Sequence, residues 1–349
     1  MLMKFFKPLG RVQMTKATIK RHKATASDVA AKAGVSKWTV SRAFTPGASI
    51  SDKARDSVLA IAKELGYRPN LLARSLSQKR TQIIGVVIDE LKNPHSMSML
   101  DEVTRQLQTR GYMALVLNIT GENYRSVMSL ADQLQVDGIL FLGTALTHEL
   151  IAIAEDMHKV PLVQVCRNTN RQGIDVVNTD DYQAGSLIAR LLVEQGHQRF
   201  GYMSGPGAED GHLQRKEGFR DALMAQSFAL DVELNSDHYD RQLGYRAMQN
   251  YLLATPVAER IEALFCENDI LALGAMEAQR DTAPNNRIAV VGFDDIDEAA
   301  APGWQLTTYS QRLDRLMAEA INRLIDGQAA EDSEWRQGEL RIRRSHLKP

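Results

Sequence analysis

The stretch TASDVAAKAGVSKWTVSRAF, residues 25–44, leaves this chain the fewest choices. Thr25 is placed to cap a short helix whose apolar side carries Val29, Ala30 and Ala33, and Gly34 supplies the left-handed turn that a side chain would resist. A second helix begins at once. Ser36 is its expected N-cap, Val40, Ala43 and Phe44 face inward, and Lys37, Trp38, Ser41 and Arg42 stand on the outer side. Small Ala30 at the crossing, Gly34 in the turn and Val40 as the packing residue coincide at the spacing of a helix-turn-helix. Past a Pro-Gly loop, Ser51 caps a third helix, SDKARDSVLAIAKEL, in which Ala54, Val58, Ile61, Ala62 and Leu65 recur at helical spacing before Gly66 ends it. The expectation is an all-α headpiece of three helices.

A net charge of -1 conceals a segregation. Residues 1–80 hold 17 Lys and Arg against 4 Asp and Glu, whereas the rest of the chain holds 25 against 39. The basic end is built for a polyanion such as DNA, which would repel the acidic remainder. At 349 residues there is room for the headpiece and a sizeable two-lobed core. Cys166 and Cys266 lie far apart in apolar runs, which reads as buried, reduced thiols and makes a reducing cytoplasm the simplest home. Residues 1–23 are basic and irregular, with no apolar run of signal-peptide or membrane-spanning length. Two readings stay open for them: an upstream-start extension, with a shorter product beginning at Met14, or a phosphate-touching arm.

From Gln82 onward short apolar runs alternate with helical stretches. IIGVVI, ALVLN, GILFL and PLVQV are separated by helices expected at 97–110 and 123–135; RFGYMSG, ALFCEN, IAVVGFDD and LTTYSQ repeat the pattern, with helices near 214–226, 243–253 and 270–279. Such alternation marks parallel sheets covered on both faces, here as two α/β lobes with a cleft between them. Ligands of open sheets bind at the C-terminal strand ends, where Asp89, Arg167, Asn268 and Asp294 fall. Enzyme signatures are missing: there is no G-x-S-x-G elbow, no Walker loop and no cluster at metal-ligand spacing, and GPGAEDG lacks the glycines of a dinucleotide fingerprint.

The segment YRPNLLARSLSQKRTQIIGVV, with CENDILALGAM and VVGFDDID further on, resembles the lactose-repressor and galactose-repressor (LacI) family of bacterial transcription regulators, from about residue 24 to about residue 345. Beyond the basic extension at 1–23, the resemblance implies a DNA-binding headpiece at 24–70, a hinge helix and linker at 71–81, and a periplasmic-binding-protein-like core at 82–345. It also implies three crossings between lobes, giving 82–181 and 309–327 to the first lobe and 182–308 and 328–345 to the second. Lys37 and Trp38, after the Ser36 cap, are implied readers of base edges, Arg42 matches the arginine of the family's Val-Ser-Arg triplet, and Thr39 and Ser41 suit phosphate contacts. Thr25, Asn70, Ala73 and Arg74 join the DNA-contacting set. Leu76 matches the leucine that wedges into the central minor groove when two hinge helices fold on an operator; its bland alternative is a linker residue.

For the core, the resemblance implies that Asp89 bonds ligand hydroxyls, that His95 and Arg167 line the pocket, and that Arg215, three residues before Gly218, is the effector-binding arginine. Tyr239 is the implied stacking ring, and Asn268 and Asp294 complete the set, with Asp294 pairing with Arg215. A structural Arg-Asp pair and a helix-capping Asn268 are the alternatives. Arg167, His95 and His212 leave room for an acidic ligand, so the expected effector is carbohydrate-like: a sugar, sugar acid or sugar phosphate. A nucleoside or purine corepressor is the alternative, and a DNA-binding protein without effector the less favoured one. The expected assembly is a homodimer on double-stranded DNA, without catalytic group, metal or cofactor. Subunit contacts are expected around 97–107, where Met97 and Met99 are read as exposed, and 271–279; no leucine heptad follows ELRIRRS, so no tetramerising tail is expected.

Overall fold

The computed structural model describes residues 23–45, 47–69, 80–119, 123–143, 150, 152–153, 156, 160–167, 174–206 and 213–348. The expected extension up to residue 22, the hinge positions Asn70, Ala73, Arg74 and Leu76, and His212 lie outside the described residues. The fold is an all-α headpiece followed by an α/β core, in two compact units that divide between Lys79 and Arg80.

The headpiece has three helices: α1 (Ala26–Ala33), α2 (Lys37–Ala43) and α3 (Asp52–Leu65). Thr25 and Asp28 form a reciprocal capping box, and Ser36 and Ser51 accept the N–H groups of Thr39 and Ala54. Gly34 and Gly66 end α1 and α3 with φ of 65° and 66°. Val29, Ala30, Val40, Ala43, Val58 and Ala62 are buried, with Phe44 and Tyr67 edge to face at 5.7 Å. Arg55 donates to the carbonyls of Ala43 at 3.1 Å and Ala48 at 3.0 Å, holding the loop that follows α2.

The first lobe is a five-stranded parallel sheet in the order β2 (Met113–Asn118), β1 (Ile83–Ile88), β3 (Gly138–Leu142), β4 (Leu162–Val165), β5 (Asp175–Val177). Helices α4 (Pro94–Thr109) and α5 (Tyr124–Gln133) cover it. The second lobe begins with α6 (Asp181–Glu194), a helix not named from the sequence. It continues through β6 (Phe200–Ser204), α7 (Arg215–Met224), β7 (Leu230–Asn235), α8 (Arg241–Ala254), β8 (Ala263–Cys266), α9 (Asp269–Thr282), β9 (Ala289–Phe293) and β10 (Thr307–Ser310). Its strands run β11-β10-β9-β8-β6-β7, where β11 (Glu339–Arg341) is antiparallel to β10 and the other pairs are parallel.

The chain crosses between lobes after β5, after β10 and before β11. Tyr309, expected to have returned to the first lobe, pairs instead with Phe293 in the second sheet. The crossing follows Ser310, and α10 (Leu313–Asp326) then packs on β3, β4, β5 and α4. One expected exposure is also corrected. Met99 is 2% exposed within the first-lobe core, whereas Met97 on the same helix is exposed as expected; in α9, Leu271, Leu273 and Gln279 are buried while Met276 and Glu277 are partly exposed. Both cysteines are free and buried. Among the described residues no helix is long and apolar enough to cross a membrane.

One close approach sets up the site. Helices α6 and α7 meet through Gly185 and Gly218: a Cβ on Gly185 would stand 2.1 Å from the Arg215 carbonyl oxygen, and one on Gly218 would stand 1.9 Å from that of Tyr182. Only glycine lets the first turns of these helices sit so near each other.

Candidate functional site

Two surfaces carry polar chemistry, one in each unit. On the headpiece, the Ser36 hydroxyl accepts from the Thr39 N–H at 3.1 Å and lies 3.0 Å from the Thr39 hydroxyl, so these two residues are partly occupied in starting α2. Thr25 is similarly tied to Asp28, its N–H donating to the carboxylate at 2.8 Å. Lys37, Trp38 and Ser41 are exposed and Arg42 is half-buried, with its guanidinium carbon 4.1 Å from the centroid of the Trp38 ring. A helix start with exposed hydroxyls, an ammonium, an indole and a guanidinium is equipped to meet phosphates and base edges.

In the core, a cleft lies between the lobes. Asp89 and Glu90 follow β1; Asn93 caps α4, accepting from the His95 N–H at 3.1 Å, and places His95 in the wall. Arg167 follows β4. From the other side come Arg215 at the start of α7, Tyr239, Asn268 at the start of α9, and Asp294 after β9. Seven of the eight expected effector residues therefore line one cleft, as the strand-end rule anticipates.

Arg215 is locked in place. Its Nε donates to Asp181 at 2.7 Å, its Nη1 donates to the Glu267 carbonyl at 2.7 Å, and its guanidinium carbon lies 3.4 Å from the Phe293 ring centroid. The direct carboxylate partner is thus Asp181, where the sequence reading had Asp294. The Gly185–Gly218 crossing brings the two helix starts together and so decides the pairing. Burial works against the charge of Arg215, but Asp181 and Asp294 outweigh it and raise its pKa.

Asp294 instead accepts from the Gln311 Nε2 at 2.7 Å and lies 3.7 Å from His95 Nε2, which joins the second lobe to the first. Burial raises the Asp294 pKa, although His95 and Arg215 pull it down; burial also lowers that of His95, against the attraction of Asp294. Glu90, pushed up to about 7 by burial and by Asp89, stands 3.9 Å from Arg167, which opposes the shift. Arg167 in turn donates to the Gly143 carbonyl at 2.6 Å and lies 5.7 Å from the Tyr239 ring centroid.

Two implied roles change in detail. Asn268 does cap its helix, accepting from the Leu271 N–H at 3.1 Å, while lining the cleft. The Tyr239 hydroxyl donates to Glu267 at 3.0 Å, and a Cβ on Gly205 would stand 2.1 Å from its ring, so Tyr239 is held from behind. Cys166 and Asp294 have φ of 59° and 111°, a backbone conformation unusual for side-chain-bearing residues. Buried Asp269 anchors the Asp294 loop, accepting from the Ile296 N–H at 2.9 Å and the Thr308 hydroxyl at 2.6 Å. The sequence reading missed Glu90 and Gln311 in the lining. Gln311 lies just past the end of β10, where the same strand-end rule could have found it.

Residues 25–70 match the family model of bacterial regulatory proteins of the lacI family, and residues 81–312 match that of periplasmic binding proteins and the sugar binding domain of the LacI family. The chain belongs to the LacI family. It is 31% identical over 310 residues to the HTH-type transcriptional repressor PurR of Edwardsiella ictaluri, covering 87% of this chain and 90% of the relative. Similarity to PurR of Escherichia coli O139:H28 is 29% over 310 residues, with the same coverage. Among solved structures it is similar to the lac repressor dimer bound to operator and the anti-inducer ONPF, at a TM-score of 0.78 and 25% identity over 93% of this chain and 100% of that one. It is also similar to a complex of the transcriptional regulator CelR with cellobiose, at a TM-score of 0.66 and 25% identity over 92% and 99% of the two chains. This LacI-family member is a DNA-binding transcription repressor, of a family that binds operators as dimers under the control of small-molecule effectors.

Proposed function

We propose that the protein represses transcription as a homodimer on a pseudo-palindromic operator, and that a small polar effector in the interlobe cleft sets its affinity for that operator. In this reading α2 of each headpiece lies in the major groove, with Lys37, Trp38 and Arg42 toward base edges and Thr25, Ser36, Thr39 and Ser41 near phosphates. Asn70, Ala73, Arg74 and Leu76 serve the hinge contacts. The convergence of Asp89, His95, Arg167, Arg215, Tyr239, Asn268 and Asp294 from both lobes on one cleft carries the effector reading. A ligand touching both sides changes how the lobes close, and linkage makes the effect reciprocal between effector and DNA.

For the effector class, relatives named PurR favour a purine or nucleoside over a carbohydrate. The cleft suits a planar base: carboxylates at Asp89, Glu90 and Asp294 accept from ring and exocyclic N–H groups, and Tyr239 offers an aromatic surface. A carbohydrate remains the second reading, because among the described lining residues Tyr239 is the one Phe, Tyr or Trp and the likeness to the CelR–cellobiose complex extends over the core. The test is the melting temperature of the full chain against purine bases, nucleosides, neutral sugars, sugar acids and sugar phosphates. A ligand at about a hundred times its dissociation constant adds roughly 2.7 kcal/mol. A purine or nucleoside shift supports the main reading, a shift confined to sugars replaces the class, and silence across the panel overturns control by these effectors.

A further inference from the structure

We propose that Trp38 and Arg42 read the operator as one unit, in which the indole holds the guanidinium ready for a guanine while its own edge reads a thymine at the adjacent base pair. The inference rests on α2 being the base-reading helix. Trp38 is 67% exposed, an unusual state for an indole on a strongly basic surface. It stands four residues before Arg42 on the same helical face, with the guanidinium carbon over its ring at 4.1 Å. Among the described residues no carboxylate pairs with Arg42, whose one contact of note is the Trp38 ring, so its donors face no competing anion there.

The stacking has two consequences. A free arginine loses rotamer freedom when it binds a base, whereas a guanidinium already laid on an aromatic face has lost most of it beforehand. Geometry supplies the second. An arginine bidentate to guanine O6 and N7 lies in the plane of that base. A ring stacked 4.1 Å away then sits close to the level of the next base pair, whose separation along the duplex is about 3.4 Å. The indole brings an apolar edge and a single N–H donor to that level, and thymine alone offers a methyl group beside an acceptor in the major groove. The half-site is therefore expected to contain a guanine with a neighbouring thymine, read jointly.

Selection from randomised duplexes with the full chain, alone and with the ligand panel above, would give the preferred site. Binding would then be compared for the wild type, Arg42→Ala, Trp38→Ala and the double variant, on that site and on versions with the guanine changed or the thymine replaced by uracil. Wild-type discrimination at the guanine is expected to be about tenfold to a hundredfold. It should fall to a few-fold in both single variants, and the double variant should be no worse than Arg42→Ala alone. Loss of the thymine methyl should weaken the wild type and leave Trp38→Ala unchanged. Retention of full guanine discrimination by Trp38→Ala, or losses that multiply in the double variant, would overturn the joint reading while leaving α2 as the reader. If no sequence is selected, or neither substitution alters the preferred bases, the reading of α2 fails and this inference with it. Circular dichroism of each variant separates these outcomes from unfolding.

Discussion

Gly218→Ala tests the link between helix packing and the effector site. The added Cβ would stand 1.9 Å from the carbonyl oxygen of Tyr182, 2.7 Å from its carbonyl carbon and 2.9 Å from its Cα. An ordinary carbon–oxygen contact is about 3.3 Å or more, so α6 and α7 must separate by more than about 1 Å. The obstacle is backbone, and no rotamer change relieves it. Overpacking of this kind costs about 3 kcal/mol, and the better helix propensity of alanine offsets at most about 1 kcal/mol. A net loss of about 2 kcal/mol or more corresponds to a fall of roughly 4–8 °C in the melting of a unit of this size. Arg215 begins α7 three residues earlier, so the same displacement disturbs its 2.7 Å pairing with Asp181 and should weaken the response to any effector found in the panel. Calorimetry on the full chain would measure the shift. Gly303→Ala is the control, since a Cβ there meets no atom within 4 Å. A Gly218→Ala protein that melts with the wild type and binds effector normally would refute the close crossing and its role.

Asp181→Asn leaves a buried guanidinium without its carboxylate and should lower stability by about 3–5 kcal/mol, read as a lower urea midpoint at unchanged slope; an unshifted midpoint contradicts the pairing. The pKa of Glu90, about 7 when folded against an ordinary 4.5, means that the folded chain holds this proton more tightly, so its contribution to stability declines as pH rises from 4.5 through 7. Glu90→Gln should therefore melt above the wild type at pH 8 and level with it at pH 4, and no gain at pH 8 would refute the shift. For Asp294→Ala, operator binding should persist while effector response is lost; normal effector sensitivity would remove Asp294 from the site. Operator affinity should fall by about a thousandfold or more between 50 and 200 mM salt if six or more phosphates are contacted, and a nearly flat salt dependence would contradict the charge-segregation argument.

How much was legible varied with the source of the information. Strands β1 and β3 were read to the residue because parallel strands buried on both faces are continuous apolar runs. The caps at Thr25, Ser36 and Ser51 were also legible, since a cap is a local hydrogen bond between near neighbours. Helix α6 was passed over: in DYQAGSLIARLLVE, buried Ala184, Gly185, Ser186, Ile188, Ala189 and Leu192 blur the usual one-sided stripe, because α7 and the sheet cover different sides of it. Met99 is buried where exposure is expected from the sequence, because periodicity shows which residues share a face without saying what covers that face.

The sequence by itself determined the helix-turn-helix, the opposed charges of its two parts, the α/β alternation and most of the chemistry at the strand ends. These follow from interactions over a few residues or from composition, and both are written along the chain. Tertiary structure alone decided that Arg215 pairs with Asp181, that Gln311 bridges toward His95 and Asp294, and that β10 stays in the second sheet. Each depends on groups 16 to 216 residues apart, brought together by helix crossings and sheet register. Several carboxylates here are chemically equivalent partners for one arginine. Backbone approach, set by Gly185 and Gly218, selects among them.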